Sequence, residues 1–147
     1  MSEEKVIART AFPLALQYVF YADRHQVFDT FTRKELVDRW CDGGGFADPV
    51  ENGVAEYFNG WVKGTVKVAD RLNGILVFTW KPSEWDRKLP ESIVSIQLKP
   101  HPAGCELFLE HGGFPSREES DKHAAGWTDY VFEPMNDFFT GISPLAE

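Results

Sequence analysis

The spacing of hydrophobic and polar residues changes three times along the chain, and each pattern predicts a different kind of element. Residues 14–22, LALQYVFYA, are a mostly apolar run that predicts a first strand. Apolar residues then recur at helical spacing over residues 23–40, and they alternate with polar ones over residues 53–112. Helical spacing returns from residue 116 onward. The predicted order is a strand, two short helices, a group of strands and a long helix.

Residues that can cap a helix precede both short helical segments. Asp23 can accept a hydrogen bond from the free N–H groups at the start of the first segment. Thr32 has Glu35 three residues further on, which is the spacing of a capping box for the second segment. Residues 42–53, DGGGFADPVENG, are rich in glycine and predict a loop in which the helices have ended.

Five strands joined by short turns are predicted between residues 53 and 112. The Asn-Gly pair at 59–60 is a strong signal for a hairpin turn. In the strand that follows, Val62, Val66 and Val68 are expected to share one face, because side chains alternate along a strand. Together with the first strand, these elements predict a sheet of about six antiparallel strands.

The final helix is predicted to begin at Ser116, which has capping-box spacing to Glu119. A broad apolar stripe follows at helical spacing. Phe132 and Phe139 widen it on one flank, and its members are Ala124, Trp127, Val131, Met135, Phe138 and Ile142. Pro134 lies inside this helix and predicts a kink or break near Glu133, because proline lacks an N–H and crowds the carbonyl of Tyr130.

The fold predicted from these elements is α+β, with a helix-grip arrangement. A curved antiparallel sheet wraps around the long C-terminal helix, and two short helices follow the first strand. The length of 147 residues fits one domain, residues 1–147. We expect an apolar space between helix and sheet, because a straight helix does not fill a curved trough.

The net charge and the apolar runs of the chain limit the classes of partner that it can bind. The formal net charge is -8, with 15 basic and 23 acidic residues, which is the wrong balance for nucleic acid or an anionic membrane. No apolar run approaches the length of a membrane helix or the core of a signal peptide, so we expect a cytoplasmic protein. Cys41 and Cys105 lie far apart and predict two buried thiols rather than metal ligands.

Four stretches of the chain resemble a known superfamily in their order. They are VFDTFTRKELVDRW, GVAEYFNGWVKGTVKVADRLNGILVFTW, FLEHGGF and AAGW. Over residues 14–140 the chain resembles START-like (SRPBCC, Bet v-type) proteins, and among them the relatives of the C-terminal domain of the activator of heat-shock protein 90 ATPase. Two positions depart from the family, with Cys41 where many relatives have a second tryptophan and Pro134 in a helix that usually continues.

The resemblance implies a function of one of three classes. The first is binding of an apolar or amphipathic small molecule between helix and sheet. The alternative is an interaction module that acts on a heat-shock protein 90-type chaperone ATPase. An enzyme is the third class, since some superfamily members catalyse reactions in the cavity. No metal and no cofactor are predicted.

Two histidines, His111 and His123, are the residues of this sequence that most suggest a ligand-binding or acid–base site. His111 shares the parity of Cys105, Leu107 and Leu109, so we expect it on the inward face of the last strand. His123 lies four residues before Trp127, at the edge of the helical stripe. The two can meet at one end of the helix–sheet space, as structural residues, as ligand contacts or as an acid–base pair. Two histidines without further ligands are too few for zinc.

Nine residues are candidates for contact with the ligand, and no catalytic residue is assigned. The candidates are His111, Trp127, Val131, Met135, Phe138, Tyr57, Thr79, His123 and Phe46. Phe46, in the glycine-rich loop, is a candidate gate at the cavity entrance. Trp85 lies in a polar connection, where it either folds back onto the sheet or contributes to a partner or homodimer surface.

Overall fold

A seven-stranded sheet and a long C-terminal helix dominate the structure, a computed structural model that describes residues 11–141. The strands are β1 (Leu14–Phe20), β2 (Phe46–Ala47), β3 (Val54–Tyr57), β4 (Val62–Asp70), β5 (Ile75–Pro82), β6 (Ser92–His101) and β7 (Gly104–Gly112). The helices are α1 (Arg24–Thr32), α2 (Lys34–Val37), α3 (Arg117–Gly126), a π-helical segment (Trp127–Phe132) and α4 (Glu133–Phe139). Ile142, predicted as the end of the apolar stripe, lies outside the described residues.

The sheet is antiparallel throughout and runs in the order β1-β7-β6-β5-β4-β3-β2. It curves around the long helix, which confirms the predicted α+β helix-grip fold. The sheet has seven strands rather than about six because the predicted loop contains β2. There Phe46 pairs with Glu56, and Ala47 pairs with Ala55, so the loop is fastened to the edge of the sheet.

The helix caps agree with the sequence at one short helix and not at the other. Asp23 Oδ1 accepts a hydrogen bond from the Gln26 N–H at 3.0 Å, as predicted for the start of α1. The prediction that Thr32 caps α2 is wrong. Thr32 is the last residue of α1, and its buried hydroxyl donates to the Phe28 carbonyl oxygen at 3.0 Å. This bond satisfies the hydroxyl inside its own helix.

A β-bulge overturns part of the predicted alternation in β4. Val62 and Val66 are buried as expected, at 1% and 0% exposure, but Val68 is 44% exposed. The register with β5 shifts by one residue between Val66 and Val68. Because side chains have a period of two along a strand, this extra residue turns Val68 to the outer face.

Of the predicted kink or break near Glu133, the break is absent, and a π-helical turn that ends at Phe132 precedes the α-helical segment from Glu133. The backbone of the long helix stays helical through Phe132 and Glu133, and the Glu133 N–H donates to the Thr128 carbonyl, five residues earlier. This wider π-helical turn separates the proline ring from the carbonyl that it would crowd in an α-helix. The helix starts as predicted, with Ser116 Oγ accepting from the Glu119 N–H at 3.1 Å.

The two phenylalanines at the end of the predicted stripe have different neighbours. Phe139, which also lies at helical spacing from Met135, packs against the core as predicted for the flank of the stripe, with its ring 5.7 Å from that of Phe20. Phe138 is half-buried, as Phe139 is, and lies under the guanidinium of Arg39 at 5.3 Å. The extra residue in the π-helical turn shifts the residues that follow it by one position, or about 100°, around the helix axis.

Aromatic residues fill the core between the sheet and the helices. Trp40 Nε1 donates to the Thr30 carbonyl at 2.8 Å and holds the turn after α2 against α1. The Tyr57 hydroxyl donates to the Phe31 carbonyl at 2.6 Å and fastens α1 to β3 of the sheet. Burial raises the pKa of the Cys41 thiol to about 12, which keeps it protonated and unreactive.

Within residues 11–141, no helix combines the length and the apolar character needed to cross a membrane.

Candidate ligand-binding cleft

A cleft of about 580 Å³ opens to solvent where α3 and the π-helical segment face the turn between β3 and β4. This volume lies within the range of about 300–1,000 Å³ that small-molecule sites occupy. Five aromatic rings, four charged side chains, a histidine, a valine and a glycine line it. They are Phe58, Trp61, Trp80, Trp127, Tyr130, Asp42, Glu84, Glu119, Lys122, His123, Val131 and Gly126.

Indole rings form the floor and one wall of the cleft. The rings of Trp80 and Trp127 lie 5.0 Å apart at the floor, and each is only 4% exposed. Trp61 stands at the wall, where it stacks on His123 with ring centroids 6.3 Å apart and an interplanar angle of 24°. Phe58 packs edge-on against Trp61 at 6.3 Å. The surface offered to a ligand is therefore aromatic and largely fixed.

The turn that carries Phe58 and Trp61 has an unusual backbone. Phe58, Asn59 and Gly60 all adopt positive φ angles, of 56°, 57° and 79°. Asparagine and glycine accept this conformation readily, but a phenylalanine rarely does. The Phe58 N–H donates to Cys41 Sγ at 3.2 Å, which helps to hold the turn. Both aromatic side chains of this turn line the cleft.

Behind the floor the interior is closed. The space between helix and sheet is occupied by rings, and the remaining void admits no water-sized sphere. Phe31, Trp40, Tyr57 and Phe78 surround this void. Within residues 11–141, the expected apolar space between helix and sheet is therefore open as the cleft along Glu119–Val131, whereas behind Trp80 and Trp127 it is filled by aromatic side chains.

His111 is buried behind the floor and holds one of its rings. The Trp127 Nε1–H donates to His111 Nδ1 at 3.1 Å. Since that nitrogen accepts, Nε2 carries the proton of the neutral ring and donates to Ser92 Oγ at 2.9 Å. The Ser92 hydroxyl in turn donates to the Trp80 carbonyl oxygen at 2.5 Å. Both nitrogens of the imidazole are therefore satisfied, and His111 is 1% exposed.

His123 holds the other ring of the floor. The Trp80 Nε1–H donates to His123 Nε2 at 3.0 Å, and His123 Nδ1 lies 3.0 Å from the carbonyl oxygen of Glu119, to which it donates. The two imidazole rings meet at right angles with centroids 5.4 Å apart. The predicted approach of His111 and His123 is present, with each ring oriented by one tryptophan.

Both histidines are neutral in this arrangement. Burial lowers the pKa of His111 well below its ordinary value of 6.5, and the nearby His123 lowers it further. Burial also lowers the pKa of His123, against the opposing effects of the Glu119 carbonyl and the Glu119 and Glu84 carboxylates. Among the described residues, no group of three or more His, Cys, Asp or Glu side chains is arranged to hold a metal ion.

Two carboxylates at the rim are oriented by indole N–H groups. Trp61 Nε1 donates to Glu84 Oε1 at 3.0 Å, and Trp85 Nε1 donates to Glu119 Oε1 at 3.1 Å. Trp85 has folded back, as one sequence alternative expected, and packs beside Phe114 with its ring 6.1 Å from His123. The rim charges thus have defined positions next to the aromatic wall.

Three of the nine candidate residues line the cleft, namely His123, Trp127 and Val131. His111 lies directly behind Trp127, and Met135 is fully buried farther along the helix.

The other four candidates lie away from the cleft. Tyr57 borders the closed void, Phe138 lies under Arg39 in the turn after α2, and Phe46 is half-buried on the edge strand β2. Thr79 is buried on the opposite side of the sheet from Trp80, its neighbour along β5, and its hydroxyl accepts from the Thr65 N–H at 2.8 Å.

The sequence analysis missed most of the residues that surround the cleft. Trp61, Trp80, Tyr130, Glu84 and Glu119 were not among the candidates. Strand parity was a usable signal for Trp80, because it alternates with the inward-facing Phe78 in the same predicted strand. The carboxylates had no such signal, since their positions depend on indole groups far away in sequence.

Comparisons with known proteins agree with this architecture. Residues 21–139 match the model of a family described as Activator of Hsp90 ATPase homolog 1-like protein. No curated protein matches the chain. A protein of Mesorhizobium loti is 19% identical, with a TM-score of 0.70 and coverage of 87% of this chain and 96% of that one.

Two further solved structures extend the likeness. An HSP90 activator from Plasmodium falciparum is 17% identical, with a TM-score of 0.71 over 88% of this chain and 96% of that one. The AHSA1 protein from Silicibacter pomeroyi is 21% identical, with a TM-score of 0.67 over 87% of this chain and 97% of that one. At these identities the structures establish a shared fold.

Proposed function

We propose that this chain, which belongs to the family of Activator of Hsp90 ATPase homolog 1-like proteins, binds an amphipathic small molecule in the cleft between its long helix and its sheet. The observation that carries the proposal is the cleft of about 580 Å³ with a floor of Trp80 and Trp127, a wall of Trp61 and carboxylates at its rim. A mostly apolar pocket with a few placed polar groups is the usual form of a small-molecule site.

The two indole rings of the floor favour binding because their positions are fixed before a ligand binds. Each floor indole is held by a histidine, Trp127 by His111 and Trp80 by His123. Burial of apolar ligand surface on these rings contributes roughly 25 cal/mol per Å² before the costs of association are subtracted. Rings that are already fixed lose little side-chain entropy on binding, so less of that gain is offset.

Gly126 offers a way to test the cleft without damaging the fold. It lies in the helix at the cleft surface, and a Cβ added there would meet only Tyr130 Cδ2, at 3.8 Å. A leucine side chain in a helix points back over the preceding turn, here toward Lys122 and His123. The Gly126→Leu substitution should therefore fill part of the cleft, and it replaces a poor helix former with a good one.

We expect wild-type protein to bind the neutral fluorescent probe N-phenyl-naphthylamine, with quenching of tryptophan emission, and Gly126→Leu to weaken this binding at least about fivefold. Ala125→Leu is the matched control, because Ala125 is exposed on the same helix and does not line the cleft. Thermal unfolding should show that neither variant is destabilised. Equal probe binding by all three proteins, or no binding by wild type, would contradict the proposal.

A second candidate function rests on the family itself. The matching family is described by activation of the Hsp90 ATPase, and one structural neighbour is an HSP90 activator. If this chain acts in the same way, it should raise the ATP hydrolysis rate of a heat-shock protein 90 homologue in a saturable manner. An unchanged rate at saturating protein would end this candidate. A cytoplasmic location and a homodimer remain predictions from the sequence.

A further inference from the structure

The charges around the cleft are not balanced. Three carboxylates line it, those of Asp42, Glu84 and Glu119, against a single ammonium group, that of Lys122. The Lys122 Nζ lies 3.5 Å from Glu118 Oε1, a carboxylate on the outer side of the helix that does not line the cleft. Among the described residues that line the cleft, the one positive charge is therefore partly offset by Glu118, and carboxylates are in excess.

The carboxylates of Glu84 and Glu119 are fixed beside the aromatic wall. Each accepts an indole N–H through its Oε1 atom, from Trp61 and Trp85 respectively. A carboxylate can accept several hydrogen bonds, so one N–H leaves each group with acceptor capacity. Glu119 is only partly exposed, which limits the screening of its charge by solvent.

The aromatic rings add a second attraction for positive charge. The faces of tryptophan and tyrosine rings are negative and attract a cation that lies within about 6 Å of the ring centre. Trp61, Trp80, Trp127 and Tyr130 all line the same cleft. This attraction is independent of the carboxylates, and both act on a ligand in the same place.

His123, the histidine that lines the cleft, does not repel a positively charged ligand. His123 is neutral, because burial lowers its pKa and both of its ring nitrogens are engaged, with Trp80 and with the Glu119 carbonyl. It therefore presents an uncharged ring that stacks on Trp61.

We infer that the ligand of this cleft is an organic cation, a small amine or quaternary ammonium compound with an aromatic or aliphatic body. Its body would lie on the floor formed by Trp80 and Trp127, and its positive group between Trp61 and the carboxylates of Glu84 and Glu119. This inference rests on the proposed function and specifies the class of molecule that the same cleft accepts.

Three probes that share one apolar body and differ in charge test the inference directly. They are phenylbutyl trimethylammonium, phenylbutanol and phenylbutanoate, each titrated against the full chain by tryptophan fluorescence and calorimetry near neutral pH. We expect the cation to bind about tenfold more tightly than the neutral alcohol at low salt, with a smaller preference at high salt, and the carboxylate to bind most weakly.

Variants that neutralise one carboxylate test which side chain causes the preference for the cation. Glu119→Gln keeps an oxygen for the Trp85 N–H and should reduce the preference for the cation to about threefold or less. Asp121→Asn removes the same charge from an exposed position of the same helix that does not line the cleft, so it should leave the preference unchanged. An equal loss in both variants would show a general charge effect and overturn the inference.

The outcomes separate this inference from the proposed function. If the alcohol binds as tightly as the cation, or if the carboxylate is preferred, the cleft binds ligands but the inferred class is wrong. If none of the three probes binds and the neutral naphthylamine probe also fails, the proposed function falls and the inference falls with it.

Discussion

Replacement of His111 with phenylalanine should lower the free energy of unfolding by about 2–3 kcal/mol, although the ring volume is retained. The variant leaves the Trp127 Nε1–H without its acceptor and Ser92 Oγ without its donor, in a site that is 1% exposed. An unpaired buried polar group costs about 1–3 kcal/mol. Urea unfolding followed by circular dichroism measures the change.

A double-mutant cycle gives the control for this prediction. Trp127→Phe removes the other partner and leaves His111 Nδ1 unpaired, while the combined variant removes both polar groups. The combined loss should be smaller than the sum of the single losses by about 1 kcal/mol or more. Additive losses would mean that the bond between His111 and Trp127 contributes nothing, and that only packing is affected.

Acidification should destabilise the protein through the same two histidines. Their pKa values are lowered in the folded state, so the unfolded chain binds protons more readily below 6.5. The stability that comes from keeping the rings neutral is complete above pH 6.5 and is lost as the pH falls below it. A histidine that stays neutral in the folded protein at pH 5 costs about 2 kcal/mol relative to pH 7.5, from the ordinary pKa of 6.5.

The groups that face each ring set the size of the effect. His111 faces His123, whose positive charge would oppose its own protonation, whereas His123 also faces the carboxylates of Glu119 and Glu84, which favour it. His111 should therefore account for the larger share. Urea unfolding at pH 7.5 and at pH 5 should show a smaller acid-induced loss in His111→Phe than in wild type. An identical loss in both proteins would rule out His111 as the source.

The elements that the sequence predicted correctly are those set by local spacing. The caps at Asp23 and Ser116, the hairpin turn at 59–60 and the inward side of the last strand all depend on residues within a few positions of each other. The bulge that exposes Val68 and the π-helical turn before Pro134 do not, because each inserts one residue into a regular period that the local pattern of polar and apolar residues does not mark.

The candidate site was harder to predict for the same reason. The stripe on the helix located Trp127 and Val131, but the cleft also needs residues that pair across long separations. The bond between Trp80 and His123 spans 43 positions, and the bond between Trp85 and Glu119 spans 34. Parity and helical spacing report which face a residue occupies, but not which distant group it meets.

The π-helical segment, Trp127–Phe132, has a consequence for how this chain is compared with its relatives. A wide turn of this kind is equivalent to a single-residue insertion that the helix absorbs without a loop. A chain that lacks it superimposes on this one in three dimensions only if its alignment contains a one-residue gap within this segment. Without that gap, the residues after the turn, Phe138 and Phe139 among them, would be aligned one position out of register, which is about 100° around the helix axis.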